Sequence, residues 1–218
     1  MRLFSVDIST GNRALIASST RGSGQALNVA EPMALDLANN RMLLADFVGT
    51  IDGVERGALL AVDLDSGNRA VISDFNRTTS SQVGEGPEFI LPVSLDFDLA
   101  NNRALVAVRG FNSSVDTVFV VDLATGMRRV VTGFNRDNDQ IVGAGTNFTK
   151  LKAARLIDNN QAVAVDDTLE TAVIIDLDTG NRKLLPSNGI GNGPSFEGPQ
   201  AMVALGESLV VSDSQLNQ

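Results

Sequence analysis

The sequence predicts an all-β protein: a β-propeller of four-stranded antiparallel blades, with about four blades' worth of chain. Three observations predict it. One phrase, with apolar residues on either side of an Asp and a Gly-containing turn, occurs four times; a second phrase with a turn of its own alternates with it; and a Gly-x-Gly stretch lies in each link.

The first phrase reads FSVDISTGNRALIAS from Phe4, LAVDLDSGNRAVIS from Leu60, FVVDLATGMRRVVT from Phe119 and VIIDLDTGNRKLL from Val173. Its Asp falls at Asp7, Asp63, Asp122 and Asp176, at spacings of 56, 59 and 54 residues. Short β-branched runs flank a turn that tolerates positive φ, with Gly11, Gly67, Gly126 and Gly180 at the left-handed position, so each copy is a β-hairpin. The second phrase reads PMALDLANNRMLLAD from Pro32, PVSLDFDLANNRALVAV from Pro92, KAARLIDNNQAVAV from Lys152 and, in degenerate form, PQAMVALGESLVVSD from Pro199. Asn-Asn supplies the turn in the first three copies. The links carry Gly22/Gly24, Gly84/Gly86, Gly143/Gly145 and Gly191/Gly193, read as loop hinges. No Gly-Lys-Ser/Thr follows and no helix begins there, which excludes a phosphate loop.

Two hairpins make one blade. The strands, lettered A to D from the axis outward, run CD, ABCD, ABCD, ABCD, AB over a single domain of residues 1–218. The repeats fall at about 3–18, 32–73, 92–132, 151–185 and 199–213. Strands apolar on both sides suit sheets stacked face to face. Pairing residues 209–211 with residues 4–6 would close a four-blade ring; the same phasing also results from four repeats of a larger propeller.

Composition removes several functions. The chain has 218 residues, Lys+Arg 17 against Asp+Glu 26 and a net charge of −9, which argues against nucleic acid and anionic membranes as partners. It has no Cys, so no disulfide framework, thiolate zinc site or cysteine nucleophile. It has no His, the commonest general base, and ten Phe are its only aromatics. Neither a signal-peptide pattern nor an apolar run of membrane-spanning length is present, which predicts a soluble chain without naming a compartment.

The apolar-Val-Asp-Leu-x-Thr-Gly-Asn-Arg phrase, followed by Gly-x-Gly, Pro-x-x-Leu-Asp and Asn-Arg-apolar-apolar-Ala-Asp, resembles bacterial propeller repeats of the NHL, YVTN and gluconolactonase-like superfamily. The resemblance covers nearly the whole chain. It implies ligand binding or, in some members, calcium-dependent lactone or ester hydrolysis. No catalytic constellation of that kind can be matched residue by residue.

Blade geometry puts the short turns on one face and the long connections, among them 19–31, 47–57, 74–91 and 133–150, on the other, where binding residues collect. Strand B ends in Asp46, Asp166 and Asp213, and Glu31, Asn147 and Glu197 stand near the start of strand A. A ring of such oxygens at the axis suits Ca²⁺, with Glu31, Asn147 and Glu197 as first candidate ligands and Asp46, Asp166 and Asp213 as second choices. The plainer reading has each strand-end Asp accepting backbone N–H bonds in its own loop. Asp7, Asp63, Asp122 and Asp176 read as turn caps, paired across the hairpin with Arg13, Arg69, Arg128 and Arg182. Asn76, Asn112 and Asn147 fit the glycosylation pattern; Phe75, Phe111 and Phe134 read as blade packing. The expected function is a non-catalytic module that binds a small molecule, glycan or protein on its long-loop face. The alternative is a Ca²⁺-dependent hydrolase or lyase with its metal at the axis.

Overall fold

Four Asp carboxylates organise the hairpin turns of the first phrase. Asp7 accepts from Ser9 N (2.8 Å), Ser9 Oγ (2.6 Å) and Thr10 N (2.9 Å). Asp63 does the same with Ser66, and Asp122 and Asp176 with Thr125 and Thr179. The following glycine adopts φ of +72° or +73° in every copy. The second phrase uses its own carboxylate: Asp36 accepts from Asn39 N and Arg41 Nε, Asp98 from Asn101 N and Arg103 Nε, while Asn40 and Asn102 turn the chain at φ 49° and 48°.

These bonds hold the carboxyls in their charged form. The Ser9 hydroxyl and the Thr10 amide depress Asp7 to about 2, and bonds from Ser66, Thr125 and Thr179 lower Asp63, Asp122 and Asp176. A carboxyl whose pKa is lower folded than unfolded stabilises the fold above its unfolded value of about 3.9, and that contribution is lost as pH falls through the folded value. The urea midpoint is therefore expected to decline from about pH 5 to pH 2. A midpoint unchanged over that range would contradict the caps.

The computed structural model describes residues 1–51, 54–74, 83–88, 90–110, 115–158, 160–185, 196–205 and 208–214. β1 (Leu3–Val6) and β2 (Arg13–Ala17) form a two-stranded sheet. The first whole blade is β3 (Val29–Asp36), β4 (Arg41–Ile51), β5 (Val54–Asp63) and β6 (Arg69–Asp74), with a 3-10 turn at Leu37–Asn39. The second is β7 (Pro92–Asp98), β8 (Arg103–Val108), β9 (Thr117–Asp122), β10 (Arg128–Asn135) and a short outer β11 (Gln140–Val142). The third is β12 (Leu151–Leu156), β13 (Gln161–Asp166), β14 (Thr171–Asp176) and β15 (Arg182–Leu184). β16 (Pro199–Leu205) and β17 (Ser208–Asp213) form a last pair, and every neighbour within a sheet is antiparallel.

The core lies between blades, which explains strands apolar on both sides. In β4, Leu43 and Ala45 pack toward the second blade with Leu95, Val106 and Phe119, while Leu44 faces the β1–β2 hairpin with Leu3 and Ala17. Leu105 and Val118 continue the stack onto Ala164 and Ile175 of the third blade, and Val163 and Val165 meet Met202 of β16. Each fully buried Leu of this kind contributes about 1.5–3 kcal/mol.

Three expectations change here. Residues 47–57 are not a loop: β4 continues to Ile51 and returns from Val54 with one register shift, as the β-branched and aromatic content of that stretch favours. Among the described residues, three of the four first-phrase arginines are held by loop carbonyls and not by the Asp across the hairpin. Arg69, Arg128 and Arg182 reach instead into the loop that enters their blade from the one before, donating to Gln25 O, Ser18 O and Arg21 O, to Pro87 O, Asp74 O and Gly86 O, and to Thr146 O, Val142 O and Gly145 O. The Gly22/Gly24, Gly84/Gly86 and Gly143/Gly145 pairs are not free hinges either, while Gly191/Gly193 lies outside the described residues. A Cβ on Gly22, Gly84 or Gly143 would stand 1.9, 2.0 or 1.9 Å from the carbonyl of Gly67, Gly126 or Gly180, so loop and turn backbones touch.

The ring is open. β1–β2 and β16–β17 remain separate two-stranded sheets, and among the described residues β17 does not pair with β1. The inner strands meet in series, β3 on β7, β7 on β12 and β12 on β16. No helix among the described residues is long and apolar enough to cross a membrane.

Candidate functional site

Every inner strand is irregular at its loop-face end. The register shifts between Ala30 and Met33, Pro92 and Ser94, Leu151 and Ala153, and Pro199 and Ala201. Proline has no N–H for the ladder, so Pro32, Pro92 and Pro199 favour a bulge where they stand. A bulge re-aims the extra residue's side chain. Pro32, Val93, Lys152 and Gln200, each within such an irregularity, all line one axial cavity of about 280 Å³, together with Met33, Ser94, Leu95, Ala153, Arg155, Ala201 and Met202.

The polar lining is cationic. Lys152 Nζ donates to Gln200 Oε1 at 2.8 Å and stands 3.7 Å from Asp167 Oδ2, a carboxylate held down chiefly by its bond from Lys150. Arg155 Nη1 donates to Leu95 O (2.7 Å), Ser94 Oγ (3.1 Å) and Ala154 O (3.2 Å). Ser94 Oγ in turn donates to Ala154 O and accepts from Ala154 N, tying β7 to β12 where no strand ladder joins them. Lys152 stands in the quoted second phrase at the residue following the position of Pro92 and Pro199, and that offset was the available signal.

Asp46, Asp166 and Asp213 accept backbone N–H bonds from the loops, as the plainer reading expects. Asp46 accepts from Asn28 N at 2.9 Å. Asp166 accepts from Thr149 N, Lys150 N and Thr168 N at 2.9 Å and from Leu169 N at 3.0 Å. Asp213 accepts from Glu197 N (2.7 Å) and Gly198 N (3.0 Å). Each fixes the loop arriving at strand A to the end of strand B. The second blade has Val108 at the corresponding place, and the buried Asp116 accepts from Gly110 N (2.7 Å) and from Leu151 N of the next blade (2.6 Å). Burial raises its pKa despite those bonds.

Asn147 Oδ1 accepts from Arg182 Nη2 at 2.9 Å, and Glu197 is half-buried. The Glu31 side chain, Phe75, Asn76, Phe111 and Asn112 lie outside the described residues. Among the described residues no three acidic side chains gather as a metal-holding group. Phe134 lies in β10 and lines a small void of about 10 Å³ beside Ile90 and Phe119.

No protein-family model matches the sequence, and no curated protein matches it. Solved structures do. A chain of a nidogen/laminin complex, which contains a β-propeller, superposes with a TM-score of 0.54 at 14% identity over 85% of this chain and 54% of that one. The extracellular domain of a hybrid two-component system from B. thetaiotaomicron gives a TM-score of 0.52 at 10% identity, over 86% of this chain and 22% of that one. The chain thus spans about half the length of the first structure and a smaller share of the second. Stacked antiparallel blades, the four inner strands around one axial cavity and these two likenesses make the chain an all-β protein of β-propeller type.

Proposed function

We propose that this chain is a non-catalytic binding module that takes a small, negatively charged molecule at the loop-face mouth of its axial cavity. The observation that carries the reading is the convergence of Lys152, Arg155, Ser94 and Gln200 on that cavity. In a chain of net charge −9, two cations facing the axis run against the overall sign. Arg155 uses only Nη1 on protein partners among the described residues, which leaves Nε and Nη2 as a fork suited to a carboxylate. Lys152, engaged by Gln200 and standing 3.7 Å from Asp167 Oδ2, still has an N–H to offer a ligand. A volume of about 280 Å³ is at the lower edge of ligand pockets, so the ligand is small.

The resemblance to NHL, YVTN and gluconolactonase-like repeats supports binding on this face. The two structural neighbours, one from a nidogen/laminin complex and one the extracellular domain of a hybrid two-component system, are in keeping with a binding role. The absence of His and Cys from the sequence favours binding over hydrolysis.

Calorimetric titration with succinate and with inorganic phosphate, each with Ca²⁺ or EDTA, tests the proposal. Saturable binding is expected in both metal conditions, weakened tenfold or more by Arg155→Met and by Lys152→Met, with melting confirming that both variants fold. Binding indifferent to both substitutions, or none, would remove the reading. Binding that required Ca²⁺ would favour the hydrolase alternative.

A further inference from the structure

The ends of the described arc carry matching halves of one blade. In each whole blade the strand B to strand C register is the same: Arg41 opposes Asp63, Arg103 opposes Asp122 and Gln161 opposes Asp176. Carried to the open ends, that register sets Ser208 opposite Asp7, Leu209 opposite Val6, Val210 opposite Ser5 and Val211 opposite Phe4. It also sets Asp213 opposite Arg2, as Asp46 opposes Ala58 and Asp166 opposes Thr171. A cross-strand pair of opposite charge then closes the ladder.

One apolar face of each of these hairpins is uncovered. Phe4 and Val6 are 45% and 55% exposed, and Val203 and Val210 are 57% and 52% exposed. The β1–β2 turn carries the same vacancy. At Gly67, Gly126 and Gly180 a Cβ would lie 2.1 Å from the outer-strand carbonyl of the preceding blade; at Gly11, with the same φ of +73°, nothing lies within 4 Å. Arg13, at the place of Arg69, Arg128 and Arg182, is exposed. In the sequence, Gly191-x-Gly193 precedes β16 just as Gly22-x-Gly24 precedes β3.

We propose that β17 of one copy adds to β1 of a second copy, completing a blade between them. One copy by itself leaves the two hairpins as separate sheets, whereas a second copy presents the missing edge in register. A twofold arrangement makes the junction twice, and three whole blades with two halves from each chain then form a ring of eight, within the known range of propeller sizes. Such a pairing also removes two strand edges that would otherwise invite indiscriminate association.

The absence of Cys makes the test clean. Light scattering on the 218-residue chain at tens of micromolar is expected to give twice its 23.0 kDa mass. Val210→Lys is expected to weaken the dimer at least tenfold while the circular dichroism of the strands is retained. Mixed and oxidised, Ser5→Cys and Val210→Cys single variants should form a disulfide-linked heterodimer, because directly opposed residues bring their Cα atoms within disulfide range. Ser5→Cys with Leu209→Cys should not, because that pair faces opposite sides of the sheet. A monomeric mass, or a Ser5→Cys/Val210→Cys double variant whose disulfide forms only within one chain, would overturn the proposal.

Discussion

Replacing Gly126 with alanine is expected to destabilise the protein by about 2–5 kcal/mol, a large part of a typical domain's stability. Two costs combine. The residue sits at φ +72°, where a side chain costs about 1–2 kcal/mol. A Cβ would also stand 2.1 Å from Ile72 O of the preceding blade and 3.3 Å from Gly84 Cα in the loop between them. Both neighbours are backbone, so relief requires two blades to part, at the cost of an overpacked core. Urea unfolding should show a lower midpoint with an unchanged slope. Gly11→Ala, measured where the chain is monomeric, supplies the control. The backbone angle is the same and space is open, so only the conformational cost remains. Equal losses at the two positions would show that the turn, and not the contact between blades, sets the penalty.

That contrast marks what the sequence made legible. Hairpins were legible because their determinants are local: an Asp two or three residues before the N–H groups it caps, and a Gly or Asn at the left-handed position. Blade order followed from the alternation of the two phrases. The clasp between blades was not legible. Arg128 is 41 residues from Pro87, whose carbonyl accepts from it, and no local pattern announces a bond of that span. Gly84 and Gly86 read as loop hinges, yet close approach to another backbone leaves the same trace in sequence. At the axis, carboxylates attracted notice as oxygen ligands, but Asp46, Asp166 and Asp213 are occupied by loop amides. Lys152 and Arg155 went unremarked because a cation in a strand reads as solvent-facing until a bulge turns it to the axis.

Arg128→Met is expected to cost about 3 kcal/mol, although methionine keeps much of the apolar stem. Arg128 is 5% exposed, and burial lowers its pKa without removing the charge. Its guanidinium donates to Pro87 O (2.9 Å), Gly86 O (2.9 Å), Asp74 O (2.8 Å) and Ser73 Oγ (2.6 Å), so one planar group serves both ends of the loop crossing into the second blade. Methionine leaves the carbonyls of Asp74, Gly86 and Pro87 without that donor in a site where water reaches poorly. A buried acceptor without a partner costs about 1–3 kcal/mol, reduced where the loop can turn outward. Ser73 loses less, since its hydroxyl still donates to Gly126 O. Lysine does not rescue the site: a single ammonium cannot reproduce a fork directed at carbonyls on two sides. Arg129, the next residue, donates to Leu177 O at 3.2 Å and is exposed, so Arg129→Met should stay within about 0.5 kcal/mol. Hydrogen exchange separates this loss from general weakening of the strands. The amides of residues 83–86 and 88 should lose protection in Arg128→Met before those of β8 and β9, and uniform loss across the blade would argue against the clasp as the point of failure.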